Sequence, residues 1–217
     1  PIHKNDDEFI IFDPAGWYEN GTYCALIGNK NKRAGYEGDC TSLFVSTDLI
    51  NWKYQGPFYQ SSRKWTLEEE DAACPDFFPI GNKHMLLMHC HRPYGNITHY
   101  YLGNYKDRWF TPEHHGRMSW IGGQLSGPES LIDDQSRNIM FGWMDESRIG
   151  RKDLWGYEID SDKQVDSDQK NLLAWGSVVS LPRLLSLAHD GTLAIKPIPE
   201  LKSLRVNHRR IENIALH

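Results

Sequence analysis

The sequence has little cysteine, no long apolar run and no excess of basic charge, and each absence excludes a class of protein. Its four cysteines are spread along 217 residues without a Cys-x-x-Cys pair, which argues against a zinc or redox motif. No apolar stretch approaches the roughly 20 residues that a membrane-spanning helix needs, so we expect no membrane partner. Lys and Arg total 24 against 29 Asp and Glu, and they form no basic stripe. We therefore expect no metal and no nucleic acid partner.

Aromatic residues and a repeated hairpin pattern are what the sequence does have. Eight Trp and ten Tyr belong to an aromatic fraction of 12%, which is typical of a folded core and not of a disordered chain. Four segments align on a proline, and each has two short apolar strands around a polar turn, which predicts a hairpin. The segments are 12–28, 74–90, 127–144 and 181–198.

The spacing of these prolines indicates the architecture. Pro14, Pro75, Pro128 and Pro182 recur about every 50 to 60 residues, which fits one four-stranded propeller blade per repeat. We therefore predict that the four hairpins are the inner strands of four successive blades, and that a complete ring needs at least one more. An irregular β-sandwich stays open as an alternative at this point.

Charged residues at the proline positions suggest a site. The first strand of each propeller blade lines the central channel, so equivalent positions converge there. Glycoside cleavage requires paired carboxylates, one to protonate the leaving oxygen and one to attack or stabilise the reacting carbon. Local turn capping is the alternative role of each acid. The residues at these positions are Asp13, Ala73, Asp76, Glu129 and Arg183.

Tryptophan rings are a second possible component of a sugar site, because their faces can pack against sugars. Core packing is the commoner fate of a Trp. The candidates are Trp17, Trp120 and Trp143.

Four segments together resemble glycoside hydrolase family 32, the invertases, fructanases and sucrose-6-phosphate hydrolases. They are "CPDFFPIGNKHMLLMHC", "STDLINWKYQGP", "GPESLIDDQSRNIMFGWMDE" and "SLPRLLSLAHDGTLAIKPIPELKSLR". The resemblance implies an all-β, five-bladed β-propeller followed by a β-sandwich. It also implies cofactor-free cleavage of β-fructofuranosyl bonds with retention, in sucrose or fructan. We expect about four blades in residues 1–198, a linker toward the sandwich in 199–217, and the first blade and sandwich outside the chain.

The catalytic motifs of that family match only in part. Asp13 in "FDP" matches the transition-state stabiliser of an Arg-Asp-Pro motif, with Phe12 in place of the arginine. Cys74 and Pro75 match a Glu-Cys-Pro motif, but Ala73 stands where its acid/base glutamate would be. No segment matches the Asn-Asp-Pro-Asn-Gly-like motif that carries the nucleophile, and we expect that motif on a blade before residue 1.

Ala73 leaves several explanations open, because alanine cannot transfer a proton and a positioned general acid contributes about 10²- to 10⁴-fold. Glu70, Asp71 or Glu129 has taken over the role, or the protein is a weak enzyme or a non-catalytic carbohydrate-binding propeller, or a glutamate was replaced by design. A glycosidase for another furanose, such as arabinose, is a further alternative.

The hypothesis carried forward is a β-fructofuranosidase-like glycosidase with a small sugar or fructan as its substrate. The oligomeric state is not determined by the sequence. The candidate catalytic residues are Asp13, Glu70, Asp71 and Glu129, and the candidate substrate-binding residues are Ala73, Asp76, Trp120, Trp143 and Arg183.

Overall fold

The computed structural model describes residues 9–31, 41–60, 64–65, 72–90, 97–119, 125–144, 178–207 and 209. In these ranges thirteen strands form three antiparallel sheets, followed by one short 3-10 helix. The predicted all-β class is therefore confirmed. No helix in this part of the chain is long and apolar enough to cross a membrane.

The first two sheets have the same up-and-down order of four strands. The first sheet contains β1 (Phe9–Glu19), β2 (Thr22–Asn31), β3 (Thr41–Ser46) and β4 (Lys53–Tyr59). The second contains β5 (Ala73–Ile80), β6 (Lys83–Cys90), β7 (Ile97–Lys106) and β8 (Trp109–Arg117). Asn20 and Gly21, with φ of 46° and 76°, form the two-residue turn between β1 and β2. Asn-Gly favours such a turn because both residues tolerate positive φ.

The third sheet is built differently, because its second strand pairs with three others. It contains β9 (Leu125–Ile132), β10 (Asn138–Met144), β11 (Val178–Val179), β12 (Arg183–Leu187) and β13 (Leu193–Pro197). β10 pairs with β9 on one side and with both β11 and β12 on the other. The 3-10 helix Pro199–Leu204 follows β13, and an Arg137–Glu200 ion pair of 2.8 Å holds it against the third sheet.

The assignment of the Leu181 hairpin to a fourth blade is wrong. β12 pairs with β10 through Met140 and Arg183, so the hairpin of β12 and β13 supplies the outer strands of the third sheet. Pro182 lies between β11 and β12, whereas the other three prolines lie in first strands. The described residues thus form three sheets. The prediction that 199–217 is a linker is not tested by these contacts.

The other three prolines mark the same irregularity in each sheet. In each first strand, two residues lie opposite a single residue of the second strand, which is a β-bulge. Proline is tolerated at a bulge because no ladder hydrogen bond is required of its nitrogen. The bulged pairs and their opposite residues are Phe12–Asp13 with Gly28, Cys74–Pro75 with Met88, and Gly127–Pro128 with Gly142, so Pro14 directly follows its bulge whereas Pro75 and Pro128 lie within theirs.

Two apolar cores lie between the sheets, and the middle sheet contributes to both. Leu86 and Met88 of β6 face the first sheet, while Met85 and Leu87 face the third. Because successive strand residues point to opposite faces, a strand segment buried on both sides is a continuous apolar run, as β6 is from Met85 to Met88. The first core is rich in aromatic rings, with Phe58 contacting the rings of Trp17, Phe77, Tyr105 and Phe110.

Gly28 allows the backbones of the first two sheets to meet. A Cβ built on Gly28 would lie 2.4 Å from the carbonyl oxygen of Ala72 and 3.1 Å from the Cα of Ala73. No side chain fits in that space. Gly28 of β2, which lies opposite the bulge of β1, is therefore held directly against the beginning of β5, where the second bulge lies.

Candidate active site

Three carboxylates from the three sheets meet at the bulges. Asp13 precedes the proline in β1, while Asp76 and Glu129 each follow the proline, in β5 and β9. The charges of Asp13 and Asp76 both act on the Glu129 carboxyl, and Glu129 and Asp13 both act on the Cys74 thiol. The convergence expected from the repeats is thus present in the structure.

Asp76 is the buried member of the group, with 9% of its surface exposed. Burial raises the pKa of the Asp76 carboxyl, while hydrogen bonds from the side chain and backbone of Ser130 and the backbone of Phe77 oppose that rise. Ser130 belongs to β9, so Asp76 joins the second sheet to the third. Its Oδ2 atom has no hydrogen-bond partner among the described residues.

Glu129 is exposed, yet its carboxyl does not titrate like a surface carboxylate. Partial loss of solvation, together with the charges of Asp76 and Asp13, raises the pKa of Glu129 to about 7. Nearby negative charges disfavour ionisation of a carboxyl, because the carboxylate that forms is repelled by them. Glu129 therefore holds a proton at neutral pH for a substantial part of the time.

Ala73 and Cys74 form the end of β5 that touches this group. Ala73 is buried at 2% exposure and pairs with His89 of β6. Cys74 has a φ of 44°, an unusual backbone conformation for a residue with a side chain. Its Sγ donates a hydrogen bond to Oδ2 of Asp13 at 3.2 Å.

The Cys74 thiol was not among the sequence-predicted site residues. Burial, the Asp13 hydrogen bond and the charges of Asp13 and Glu129 raise its pKa to about 12. The thiol therefore remains protonated and remains a donor to Asp13. The sequence signal that could have identified Cys74 as a site residue is its position directly before Pro75.

Arg183 does not join the carboxylates as the aligned prolines predicted. It lies in β12, the third strand of its sheet when counted from β9. Its Nη1 donates a hydrogen bond to the backbone carbonyl of Met118 at 2.9 Å. Burial lowers the pKa of the Arg183 guanidinium. Within the described ranges no ion pair links it to Asp13, Asp76 or Glu129, so the register argument for its role in sugar binding no longer applies.

The aromatic candidates divide between core and surface. Trp17 packs in the first core against Phe77 and Tyr105, at ring-centroid distances of 5.3 and 6.3 Å. Trp143 is 50% exposed on β10, so its ring remains available to a sugar. Trp120, Glu70 and Asp71 lie outside the described residues.

Two apolar cavities lie on the first and third sheets. One of about 350 Å³ lies on the first sheet and is lined by Pro14, Trp17 and Trp52 among others. Another of about 490 Å³ lies on the third sheet and includes Val179 and Leu181. Neither is lined by the three acids. Among the described residues, no group of three or more His, Cys, Asp or Glu is placed to hold a metal ion.

Comparison of the sequence with known proteins identifies a family of glycosyl hydrolases. The model of the glycosyl hydrolases family 32 N-terminal domain matches residues 3–197. A sucrose-6-phosphate hydrolase from Vibrio alginolyticus is 29% identical over 209 residues, covering 89% of this chain and 37% of that protein. A raffinose invertase from Escherichia coli is 26% identical over 217 residues, covering 94% and 40%.

A solved structure supports the fold. The family 32 beta-fructofuranosidase of Bombyx mori superposes with a TM-score of 0.66 at 18% sequence identity, covering 91% of this chain and 39% of that one. The chain thus spans about two-fifths of the length of the relatives it matches. The predicted five-bladed propeller is confirmed as the fold, with this chain covering its N-terminal part. The chain belongs to glycosyl hydrolases family 32 and matches its N-terminal domain.

Proposed function

We propose that this chain forms the sugar-binding part of a retaining β-fructofuranosidase that acts on sucrose or fructan. The observation that carries the proposal is the meeting of Asp13, Asp76 and Glu129, from three sheets, in or directly after the bulge of each first strand. Carboxylates grouped in this way suit cleavage of a glycosidic bond, because the reacting carbon becomes cation-like in the transition state. Relatives named sucrose-6-phosphate hydrolase and fructan 1-exohydrolase support the choice of substrate.

In this proposal Asp13 stabilises the positive charge that develops on the fructosyl ring. Its carboxylate is exposed and one of its oxygens is oriented by the Cys74 thiol at 3.2 Å. A fixed anion beside the reacting carbon stabilises the transition state more than the neutral substrate, which is what lowers the barrier. Asp76 is buried and holds the second and third sheets in register around the site.

Ala73 occupies, in the same proposal, the position of the acid/base glutamate of the family. The sequence also contains no match to the motif that carries the nucleophile. Retaining cleavage needs both functions, so the proposed activity belongs to the intact protein. Trp143 is proposed to contact the sugar through its exposed ring.

A non-catalytic carbohydrate-binding propeller is the second candidate function. Ala73 is the observation behind it, because alanine cannot supply the proton that bond cleavage requires. It predicts fructoside affinity without turnover, whereas the enzyme proposal predicts both.

The test combines binding and product analysis on the intact protein. Calorimetry with sucrose and a fructose oligomer, and with arabinose oligomers as the comparison, measures which sugar is bound. NMR of the first products from sucrose, inulin and levan reports whether the anomeric configuration is retained. Asp13→Asn should abolish cleavage, and Asp134→Asn, an exposed acid in the β9–β10 turn, is the matched control. Absence of fructoside binding would refute the proposal, and a preference for arabinose would redirect it.

A further inference from the structure

We propose that Glu129 donates the proton to the leaving oxygen, in place of the missing glutamate at position 73. This inference rests on the proposed function and assigns one further catalytic residue to the same site. It selects Glu129 as the general acid from the three candidates that the sequence offered. The other two, Glu70 and Asp71, lie outside the described residues.

The position of Glu129 in its sheet is the first support. It follows the bulge of Gly127 and Pro128, as Asp76 follows the bulge of Cys74 and Pro75. A β-bulge redirects the side chains next to it. Glu129 and Asp76 therefore occupy equivalent places in neighbouring sheets, and Glu129 is the exposed one of the two, so a substrate can reach it.

The surroundings of Glu129 supply the second support. Asp76 is 9% exposed, and its Oδ2 has no hydrogen-bond partner in the described part of the chain. A buried polar atom without a partner costs free energy unless something satisfies it, and a proton or a substrate hydroxyl would do so. Asp76 Oδ2 therefore leaves one acceptor free for a further donor, such as a protonated carboxyl or a substrate hydroxyl.

The groups around Glu129 also determine its protonation. Among the described residues, Asp13 from β1 and Asp76 from β5 are the acids that act on it, and its pKa rises to about 7. The neighbouring Cys74 thiol stays neutral and adds no charge at physiological pH. A general acid works best when its pKa is near the working pH, because it must be protonated and still give up the proton readily.

A nucleophilic carboxylate of the intact protein bonds to the fructosyl anomeric carbon while the bond from that carbon to the leaving oxygen breaks, and the electron pair of the broken bond stays on the leaving oxygen. The Glu129 proton moves to the same oxygen, which leaves as an alcohol, and Glu129 becomes a carboxylate. Water is the second reactant of the overall hydrolysis. Its oxygen bonds to the anomeric carbon of the covalent intermediate, the bond to the nucleophile breaks with its electron pair on that carboxylate, and one proton of the water returns to Glu129.

The test compares two substrates in Glu129→Gln. Sucrose has a poor leaving group that needs protonation, whereas a nitrophenyl fructofuranoside has a good leaving group that does not. The variant should lose about 10²-fold or more of its turnover on sucrose and much less on the nitrophenyl substrate. Asp134→Asn, in the turn of the same hairpin, should change neither. Equal loss on both substrates, or no loss on sucrose, would overturn the assignment.

A second readout does not depend on activity. Labelling the glutamate carboxyl carbons with ¹³C allows each titration to be followed by NMR. Wild type should show one signal with a midpoint near pH 7 that is absent in Glu129→Gln and moves to lower pH in Asp76→Asn. A Glu129 midpoint near the ordinary value of 4.5 would refute the proposal even if the protein cleaves nothing.

The two proposals fail in different ways. Protein that binds no fructoside refutes the proposed function, and the NMR titration then decides separately whether Glu129 is a neutral acid. Protein that binds fructosides but cleaves neither substrate refutes the role of Glu129 and leaves the sugar-binding part standing. If Glu129→Gln does not fold, Glu129→Asp, which keeps the acid and shortens its reach, should show a reduced turnover on sucrose with the pH profile retained.

Discussion

Replacing Gly28 with alanine tests the contact that holds the first two sheets together at the carboxylates. The added Cβ would lie 2.4 Å from the Ala72 carbonyl oxygen, about 1 Å inside ordinary van der Waals contact. That oxygen belongs to the backbone, so no side-chain rotation relieves the clash and the sheets must separate. Overpacking of this kind costs about 1–3 kcal/mol, which for a chain of this size lowers Tm by about 2–12 °C.

The same separation should reach the site. The Cys74 Sγ and Asp13 Oδ2 atoms are 3.2 Å apart across this contact, and a shift approaching 1 Å would take them beyond hydrogen-bonding distance. Asp13 would then lose the donor that orients it. We expect weaker fructoside binding in addition to lower stability.

Thermal unfolding followed by tryptophan fluorescence measures the first effect, and calorimetric titration with sucrose measures the second. Gly16→Ala in the adjacent β1 is the matched control, because its Cβ would lie 3.3 Å from the nearest atom, the carbonyl oxygen of Cys24. It should shift Tm much less. If Gly28→Ala unfolds at the wild-type temperature and binds sucrose as the wild type does, the close contact between the sheets is not what positions Asp13.

Three further predictions follow from named contacts. The Glu129 pKa rises from 4.5 to about 7 on folding, so between these values the folded state holds a proton that the unfolded chain has released; stability should therefore fall as pH rises from about 4.5 to 7. Urea unfolding across this range measures that slope, which Glu129→Gln should flatten. Cys74→Ser keeps a donor to Asp13 and should retain sugar affinity in calorimetry, whereas Cys74→Ala should weaken it; equal affinities would show that the thiol does not position Asp13. Trp17→Ala should destabilise the first core by about 3–5 kcal/mol, while Trp143→Ala, at an exposed position, should lower sugar affinity with little change in urea midpoint; the opposite pattern would exchange their roles.

Much of the fold could be predicted from short stretches of sequence, because hairpins depend on neighbouring residues. The Asn20-Gly21 turn, the apolar run of β6 and the proline at each first strand all have local physical causes. The proline-aligned repeats predicted that Asp13, Asp76 and Glu129 meet, because corresponding positions in neighbouring blades lie side by side. Family membership followed from the quoted segments and is confirmed by the family match to residues 3–197.

The sequence by itself thus determined the class of fold, the hairpins and the acids that meet. Only the tertiary structure decided that β12 pairs with β10, that Arg183 contacts the Met118 carbonyl, and that the Cys74 thiol donates to Asp13. It also decided which carboxyl is buried and which retains its proton near neutral pH. The physical reason is that hairpin formation depends on adjacent residues, whereas strand pairing between distant segments, desolvation and charge repulsion depend on distances in space between residues far apart in the chain.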